Sequence, residues 1–301
     1  MNEVVIAIAT TPDNVRLLDR TLKSVREVCG VGVPIYVIEN GLRSCEDTSV
    51  RRICDELGVE YRHCKEKGKS RALNILIREL GLGLVVFLDD DVRLESDVVL
   101  HYSRAAAIFG RGCFFGGPIS ADYEEVPVSH VESLLPISAR GWDLGLEADG
   151  VAIDRPRFLG CNWAAWAEDV VRLGGFNELC GPGAATGATG QETDMQTRML
   201  RSGLRGRYVA KARVAHFVPA SRSNSAWIIN RAERNGKGLK QSLKCRIGYW
   251  ELRALMSVMA RFLAAEFACL VFGGDGARLR RSVARSYVKG LIQLGNSDSG
   301  R

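Results

Sequence analysis

The chain has 301 residues, 46% of them hydrophobic and 25% charged, with a formal net charge of +6. That composition supports a substantial buried core and excludes a disordered, collagen-like or disulfide-dense chain. Nine cysteines are scattered without a C-x-x-C pair, so free thiols in a reducing cytoplasm are expected, not a disulfide framework or a zinc cluster.

The opening run Met-Asn-Glu-Val-Val-Ile-Ala-Ile-Ala has no basic leader and no cleavage signal, so a buried strand over 4–9 is expected and a secretory signal is not. Residues 10–14 read as a loop. Val15, Leu18, Leu22 and Val25 recur at helical spacing and predict a helix over 15–28. A second strand is expected over 34–39, ending in the turn signal Glu39-Asn40-Gly41. A short helix over 50–57 and a third strand over 59–62 follow. Ala72, Leu73, Leu76, Ile77 and Leu80 predict a helix over 69–80. Strands alternating with helices at this spacing imply a parallel, doubly wound α/β sheet.

Residues 84–88, Leu-Val-Val-Phe-Leu, form an apolar run that ends in three carboxylates, Asp89, Asp90 and Asp91. Buried residues followed at once by acids describe a central strand running into a cleft. Desolvating three adjacent aspartates without partners is costly, and a divalent cation resolves the conflict. One or two protein carboxylates completed by substrate phosphates suit Mg²⁺ or Mn²⁺. Open α/β sheets bind ligands at this end of their strands. An acidic loop after a strand is the plainer alternative.

Beyond residue 97 a helix is expected over 98–109 and a strand over 113–119. Residues 120–157 read as irregular, 158–166 as apolar and aromatic, and 181–190 as a flexible loop of small residues. A helix over 191–201 and a strand over 208–217 follow, and the chain reads as mainly helical from about 225. There is no repeat and no interdomain linker. Glu192 and Asp194 open the helix after the small-residue loop, where the dipole favours negative charge. A carboxylate at a mobile cleft edge suits proton abstraction from a hydroxyl; helix capping is the alternative. His216 ends an apolar strand, and beside an acid-tipped strand it is a candidate further metal ligand.

Residues 231–290 carry thirteen Lys/Arg and four Asp/Glu, a local +9, whereas the first 230 residues are slightly acidic. The apolar helix containing Leu255, Val258, Met259, Phe262, Leu263, Leu270 and Val271 is interrupted by Arg261 and Glu266, which makes it a poor membrane span. Packing on the body or on a second copy is one expectation, and lying at an anionic lipid surface is the other.

Together the motifs resemble family 2 glycosyltransferases of the GT-A fold, bacterial type. The matching stretches are V-V-I-A-I-A-T-T-P-D-N-V-R-L-L-D-R-T-L-K-S-V, Y-V-I-E-N-G, K-G-K-S-R-A-L-N, F-L-D-D-D-V, G-G-F-N-E, G-Q-E-T-D-M-Q-T-R-M-L-R-S-G and A-R-V-A-H-F, within about residues 4–220. The ordered series is more specific than the triple Asp alone. The later R-S-N-S-A-W-I-I-N-R-A-E-R-N-G-K-G is a weaker match to a helical stretch of some bacterial members.

The resemblance implies a Rossmann-like, mixed, mostly parallel central sheet with flanking helices plus a helical C-terminal extension. It implies a nucleotide-sugar half over 1–115, an acceptor half over 116–225 and the extension over 226–301. Ala9, Thr10 and Thr11 would wrap the nucleotide, and Glu39 would read the base. Lys69 and Arg71 would approach base and diphosphate, and Asp89 and Asp90 would face ribose and sugar. Asp91 is the expected metal carboxylate and His216 a second ligand. Glu192 takes the general-base position, with Asp194 supporting acceptor or base. Asn162, Trp163 and Trp166 would lie on the acceptor side.

The implied reaction is inverting, metal-dependent transfer from a nucleoside-diphosphate sugar to a hydroxyl acceptor in the cytoplasm. Peripheral membrane contact or a homodimer through the C-terminal helices is compatible with it, and no nucleic-acid partner is expected. The sequence departs from the family in having Ala-Thr-Thr-Pro in the first loop, Glu39 for a common Asp and Glu192 for a commoner Asp base. A nucleotidyltransferase acting on a sugar phosphate would share sheet and metal, but would need a Gly-rich first loop that this chain lacks. A non-catalytic sugar-nucleotide-binding protein would not need both acidic clusters.

Overall fold

The computed structural model describes residues 4–42, 49–245 and 249–292. The outermost residues of the two expected domains, 1–3 and 293–301, lie outside the described residues. The first half runs β1 (Val4–Thr10), α1 (Val15–Cys29), β2 (Ile35–Asn40), α2 (Ser49–Glu56), β3 (Glu60–Cys64), α3 (Lys69–Leu80), β4 (Leu84–Leu88), β5 (Val92–Leu94) and α4 (Val98–Phe109). The next stretch runs β6 (Cys113–Gly116), β7 (Ile119–Tyr123), α5 (Ser129–Glu132), α6 (Ile137–Arg140), β8 (Ala152–Ile153), β9 (Asn162–Trp166) and α7 (Ala167–Arg172). It continues through α8 (Gln191–Arg201), β10 (Arg205–Tyr208) and β11 (Val214–Val218) to three helices, α9 (Ser225–Cys245), α10 (Tyr249–Val271) and α11 (Gly274–Ile292).

The main sheet has the order β3-β2-β1-β4-β9-β6-β10-β8, and a smaller one has the order β5-β11-β7. β3, β2, β1 and β4 are mutually parallel, and β9 runs antiparallel to both β4 and β6. Successive strand side chains point to opposite faces. Ile6, Ile8, Leu84, Val86 and Leu88 therefore pack with Leu18, Leu22 and Val25 of α1. Val5, Ala7, Val85 and Phe87 pack with Ala72, Leu73, Leu76 and Ile77 of α3. Burial on both faces explains the unbroken apolar runs of β1 and β4.

Two expected single strands are each divided between the sheets. The strand over 113–119 splits into β6 and β7, and that over 208–217 splits into β10 and β11. β6 pairs parallel with β10, and β7 pairs parallel with β11, so both chains leave the main sheet side by side. Gly117 lies at the bend. A Cβ there would sit 2.0 Å from the Ala212 carbonyl oxygen, so only glycine permits the approach, and Pro118 next to it has no N–H to continue a ladder. The expected irregular stretch over 120–157 holds part of β7 together with α5, α6 and β8. The unexpected β5 pairs antiparallel with β11, matching Val92 to His216. Cys29, Cys54, Cys64, Cys113, Cys161 and Cys269 are unpaired thiols.

In the C-terminal extension α9 and α11 meet backbone to backbone. A Cβ on Gly290 would lie 2.0 Å from the Glu233 carbonyl oxygen, and one on Gly236 2.1 Å from that of Tyr287. Glu266 of α10 is paired to Arg281 (3.0 Å) and Arg285 (2.6 Å) of α11. Val258 and Ala265 of α10 are buried, while Leu252, Met256, Met259, Leu263, Phe267 and Leu270 are exposed in a continuous stripe. Residues Leu252–Val271 are long and apolar enough to cross a membrane, with a mean hydropathy of 1.8 over 20 residues. Arg261 and Glu266 nevertheless interrupt that span.

Candidate active site

β4 delivers Asp89, Asp90 and Asp91 to the carboxyl end of the parallel strands, and each meets a different partner. The Asp90 Oδ2 accepts the Thr10 hydroxyl at 2.6 Å and the Asn14 amide at 3.0 Å. Burial and the Asp91 charge push the Asp90 carboxyl above its ordinary range, against those two hydrogen bonds. Asp89 is ion-paired with Lys69 at the start of α3. Burial opposes the Lys69 charge, but Asp89, Glu192 and Asp90 outweigh it and raise the amine.

Asp91 is held by the smaller sheet. Its carbonyl accepts the Phe217 amide at 2.8 Å, which draws His216 alongside. His216 Nε2 lies 3.3 Å from Asp91 Oδ1, and an Arg222 nitrogen lies 3.3 Å from Oδ2. Asp91 Oδ1 makes no aligned hydrogen bond, so the contact with Nε2 is chiefly electrostatic, and the other ring nitrogen, His216 Nδ1, is also buried without a hydrogen-bond partner. Burial raises the Asp91 carboxyl, but His216 and Arg222 more than offset it and hold it below the usual carboxylate range. Burial likewise opposes charge on His216, and Asp91 and Asp89 outweigh it.

Ligand atoms of Asp89, Cys161 and His216 lie within 4.8 Å of one another. The buried Asp91 Oδ1 without a partner, beside an imidazole, fits a divalent cation, which would take the place of the proton on His216. The carboxylates and the imidazole suit Mg²⁺ or Mn²⁺. The Cys161 thiol does not, because burial and the charges of Asp89 and Asp91 hold it protonated. The position of Cys161 just before β9 carries no pattern in the sequence that would reveal it.

The donor-side residues converge less uniformly. Ala9 is part of the core, Thr10 is buried on Asp90, and Thr11 is half-buried where the loop begins. Glu39 lies beside Thr10 in register at the end of β2 and accepts the Tyr61 hydroxyl. Asn40, unmarked in the sequence beyond its turn signal, ties the region together. Its amide donates to the Thr10 carbonyl at 2.6 Å, and its oxygen accepts the Gly68 amide at 2.9 Å. Arg71 is engaged with Glu178 (2.8 Å) and Glu66 on an outer face, two residues around α3 from Lys69.

Glu192, in the first turn of α8, reaches the acid cluster. A Cβ on Gly160 would meet its Oε2 at 3.6 Å and the Lys69 Nζ at 3.8 Å, so the carboxylate and the amine flank one glycine. Asp194 does not join it. Its Oδ2 is paired at 2.7 Å to Arg198, which also donates to the Leu173 and Gly175 carbonyls. The 181–190 loop, expected to be flexible, is anchored. Lys69 N donates to the Pro182 carbonyl (3.0 Å), Arg234 Nε to that of Gly187 (3.1 Å), and the Thr189 hydroxyl to Asn235 (2.7 Å).

Asn162, Trp163 and Trp166, expected on the acceptor side, all lie on the buried strand β9. Trp163 is 1% exposed and stacked on Phe87. Trp166 pairs with Leu84, at the far end of β4 from the acids. Asn162 is opposite Leu88, close to the acids in register, but it is fully buried. It donates to the Pro118 (2.9 Å) and Ala212 (2.7 Å) carbonyls and accepts the Tyr102 hydroxyl (2.7 Å). Aromatic and amide residues near a cleft are not separable from core by sequence alone, because all three sit on a strand buried on both faces. Asn162→Ala is expected to destabilise the protein by about 3 kcal/mol or more in urea unfolding, since three buried groups lose partners. Unchanged stability with a raised acceptor KM would instead assign Asn162 to the acceptor side.

No protein-family model and no curated protein matches this chain. Among solved structures it is similar to the mannosyltransferase PcManGT from Pyrobaculum calidifontis in complex with GDP-Man and Mn²⁺. The TM-score is 0.59 at 19% sequence identity, covering 97% of this chain and 87% of that chain. A likeness at that identity establishes architecture and leaves the chemistry to the site: the chain has a GT-A-like fold, a mixed and mostly parallel sheet with flanking helices and a C-terminal helical extension.

Proposed function

We propose that this protein is an inverting, metal-dependent glycosyltransferase that moves a sugar from a nucleoside-diphosphate sugar to an acceptor hydroxyl. The observation that carries the reading is the meeting of Asp89, Asp91, His216, Lys69 and Glu192 at the carboxyl end of β4, with Asp91 Oδ1 and His216 Nδ1 lacking partners. The similar mannosyltransferase was solved with GDP-Man and Mn²⁺, which agrees with this use of the fold. In this reading Asp91, His216 and Asp89 hold Mg²⁺ or Mn²⁺, which when bound neutralises charge on the donor diphosphate.

The chain's own groups then divide the work. Thr11 and the Asn40-pinned ends of β1 and β2 receive the nucleoside, with Glu39 beside the base. Lys69 adds positive charge next to the diphosphate. Glu192 takes the acceptor proton from the face opposite the leaving group, so a single displacement inverts the anomeric carbon. The anchored 181–190 loop keeps bulk water from that face. A thermal-shift screen of nucleoside diphosphates with and without Mn²⁺ tests the reading. One base is expected to raise Tm only when Mn²⁺ is present; the absence of any nucleotide response would remove it.

We place the protein in the cytoplasm, with the exposed stripe of α10 against an anionic lipid surface. The stripe belongs to a region of local charge +9, and basic residues near such a surface contribute about 1 kcal/mol each. Co-sedimentation with phosphatidylserine vesicles is expected, weakening as salt rises. Failure to bind, with a dimer that dissociates on Leu263→Asp, would assign the stripe to a homodimer.

A further inference from the structure

A second set of metal-binding side chains overlaps the acid cluster. β9 runs antiparallel to β4 with Asn162 opposite Leu88, so one step further out Cys161 comes alongside Asp89. β11 adds His216, drawn in by the Phe217 amide on the Asp91 carbonyl. Ligand atoms of Asp89, Cys161 and His216 lie within 4.8 Å of one another. Tetrahedral zinc bonds of about 2.0–2.3 Å set ligand atoms roughly 3.5 Å apart, so small side-chain rotations close the set. The three residues are too far apart in the sequence for any spacing motif to signal them.

Each member offers an atom to a soft cation. Lys69 is paired to Oδ1 of Asp89, and the second oxygen remains for a metal. His216 has Nε2 beside Asp91, while Nδ1 is buried without a hydrogen-bond partner. Cys161 is a buried, unbridged thiol next to Gly160, on which a Cβ would meet the Glu192 carboxylate and the Lys69 amine. Carboxylate, thiolate and imidazole together are a zinc-type set, and thiolate is a poor partner for Mg²⁺ or Mn²⁺. Asp91, the carboxylate expected to hold the hard cation, is not in this set. Two overlapping sites therefore share Asp89 and His216; Asp91 completes one and Cys161 the other.

We infer that Asp89, Cys161 and His216 form an inhibitory site for a thiophilic divalent cation of the Zn²⁺ class, in competition with the Mg²⁺ or Mn²⁺ of transfer. Binding forms a metal–sulfur bond as the S–H bond breaks. The proton leaves to solvent, and no group is oxidised or reduced. Mn²⁺ binds thiolate too weakly to displace that proton, whereas Zn²⁺, higher in the affinity order, displaces it. With Asp89 and His216 taken, Asp91 alone remains for the hard cation, and the donor diphosphate loses its counter-charge. The inhibition rests on the glycosyltransferase reading; the cation binding does not.

The test uses Co²⁺ as a spectroscopic stand-in for Zn²⁺ on the full chain. Co²⁺ is expected to give a near-ultraviolet thiolate-to-cobalt charge-transfer band that stoichiometric Zn²⁺ bleaches. Cys161→Ser and Cys161→Ala should each lose the band and weaken Zn²⁺ by at least ~10²-fold, since even outer partners of a metal site contribute about 10–100-fold. A cooperative thermal transition in both variants shows that they fold, and both should keep Mn²⁺-dependent nucleoside-diphosphate binding. Asp91→Asn should do the reverse, keeping the band and losing the Mn²⁺ response. In the unaltered protein, equimolar Zn²⁺ should cancel the Tm rise given by nucleoside diphosphate with Mn²⁺; in Cys161→Ser it should not. No band in the unaltered protein, a band that survives both Cys161 variants, or one lost in Asp91→Asn would overturn the site. Zn²⁺ that supports nucleotide binding as Mn²⁺ does would overturn the inhibition. Cys161-dependent Co²⁺ binding without any nucleotide response would uphold the cation site and count against the donor reading alone.

Discussion

Replacing Asp91 by asparagine is expected to abolish sugar transfer and to remove the Mn²⁺ dependence of nucleotide binding. The side chain keeps its shape, so the contacts of β4 with β1 and β9 are preserved. What changes is charge. Asp91 is held ionised by His216 and Arg222, and its Oδ1 has no hydrogen-bond partner of its own. A neutral amide there leaves His216 and Asp89 to hold a cation alone. Even outer partners of a metal site typically contribute 10–100-fold in affinity, so loss of a direct carboxylate should exceed about 100-fold in Mn²⁺ response. The measurement is nucleoside-diphosphate affinity titrated against Mn²⁺, in parallel with product formation. A variant that binds nucleotide with undiminished Mn²⁺ dependence would show that Asp89 and His216 suffice and that Asp91 serves only to position His216.

The frame around that carboxylate was legible because both of its causes are local. Unbroken apolar runs in β1 and β4 mark strands buried on both faces, and their alternation with amphipathic helices dictates parallel pairing. The carboxyl end of β4 could be located from residues 84–91 alone. His216 was readable as a candidate but not as a neighbour of Asp91, for that contact depends on β5 pairing with β11, and β5 is only three residues long. The division of two strands between sheets was hidden for a related reason. Gly116-Gly117-Pro118 interrupts the apolar run, but the sequence does not show what the break makes room for, and only the approach of the Ala212 carbonyl shows why the chain turns there. Cys161 and Asn40 were illegible because their roles come from long-range packing. Trp163 and Asn162 pose the opposite difficulty: residue types common in sugar sites are also common in a satisfied core, and both are buried here.

Glu192→Gln is expected to lower transfer by at least ~10²-fold, the usual scale for loss of a general base, while nucleotide and Mn²⁺ affinity stay near normal. The argument is positional. Glu192 opens α8 after Gly190, which adopts a left-handed φ of 93°, so the carboxylate is set by a fixed turn and not by a free loop. It lies beside Gly160 with the Lys69 amine on the other side, close to the acids but with no described hydrogen bond committing it elsewhere. Asp194, two residues along, makes the contrast. Its pairing with Arg198, which braces the Leu173 and Gly175 carbonyls, predicts that Asp194→Asn lowers Tm and spares most of the turnover of the folded enzyme. The two variants therefore separate by readout: kcat for Glu192→Gln, stability for Asp194→Asn. Near-normal kcat in the glutamine variant would sink the base assignment. It would also imply an acceptor whose nucleophile is already ionised, which needs no proton acceptor at all.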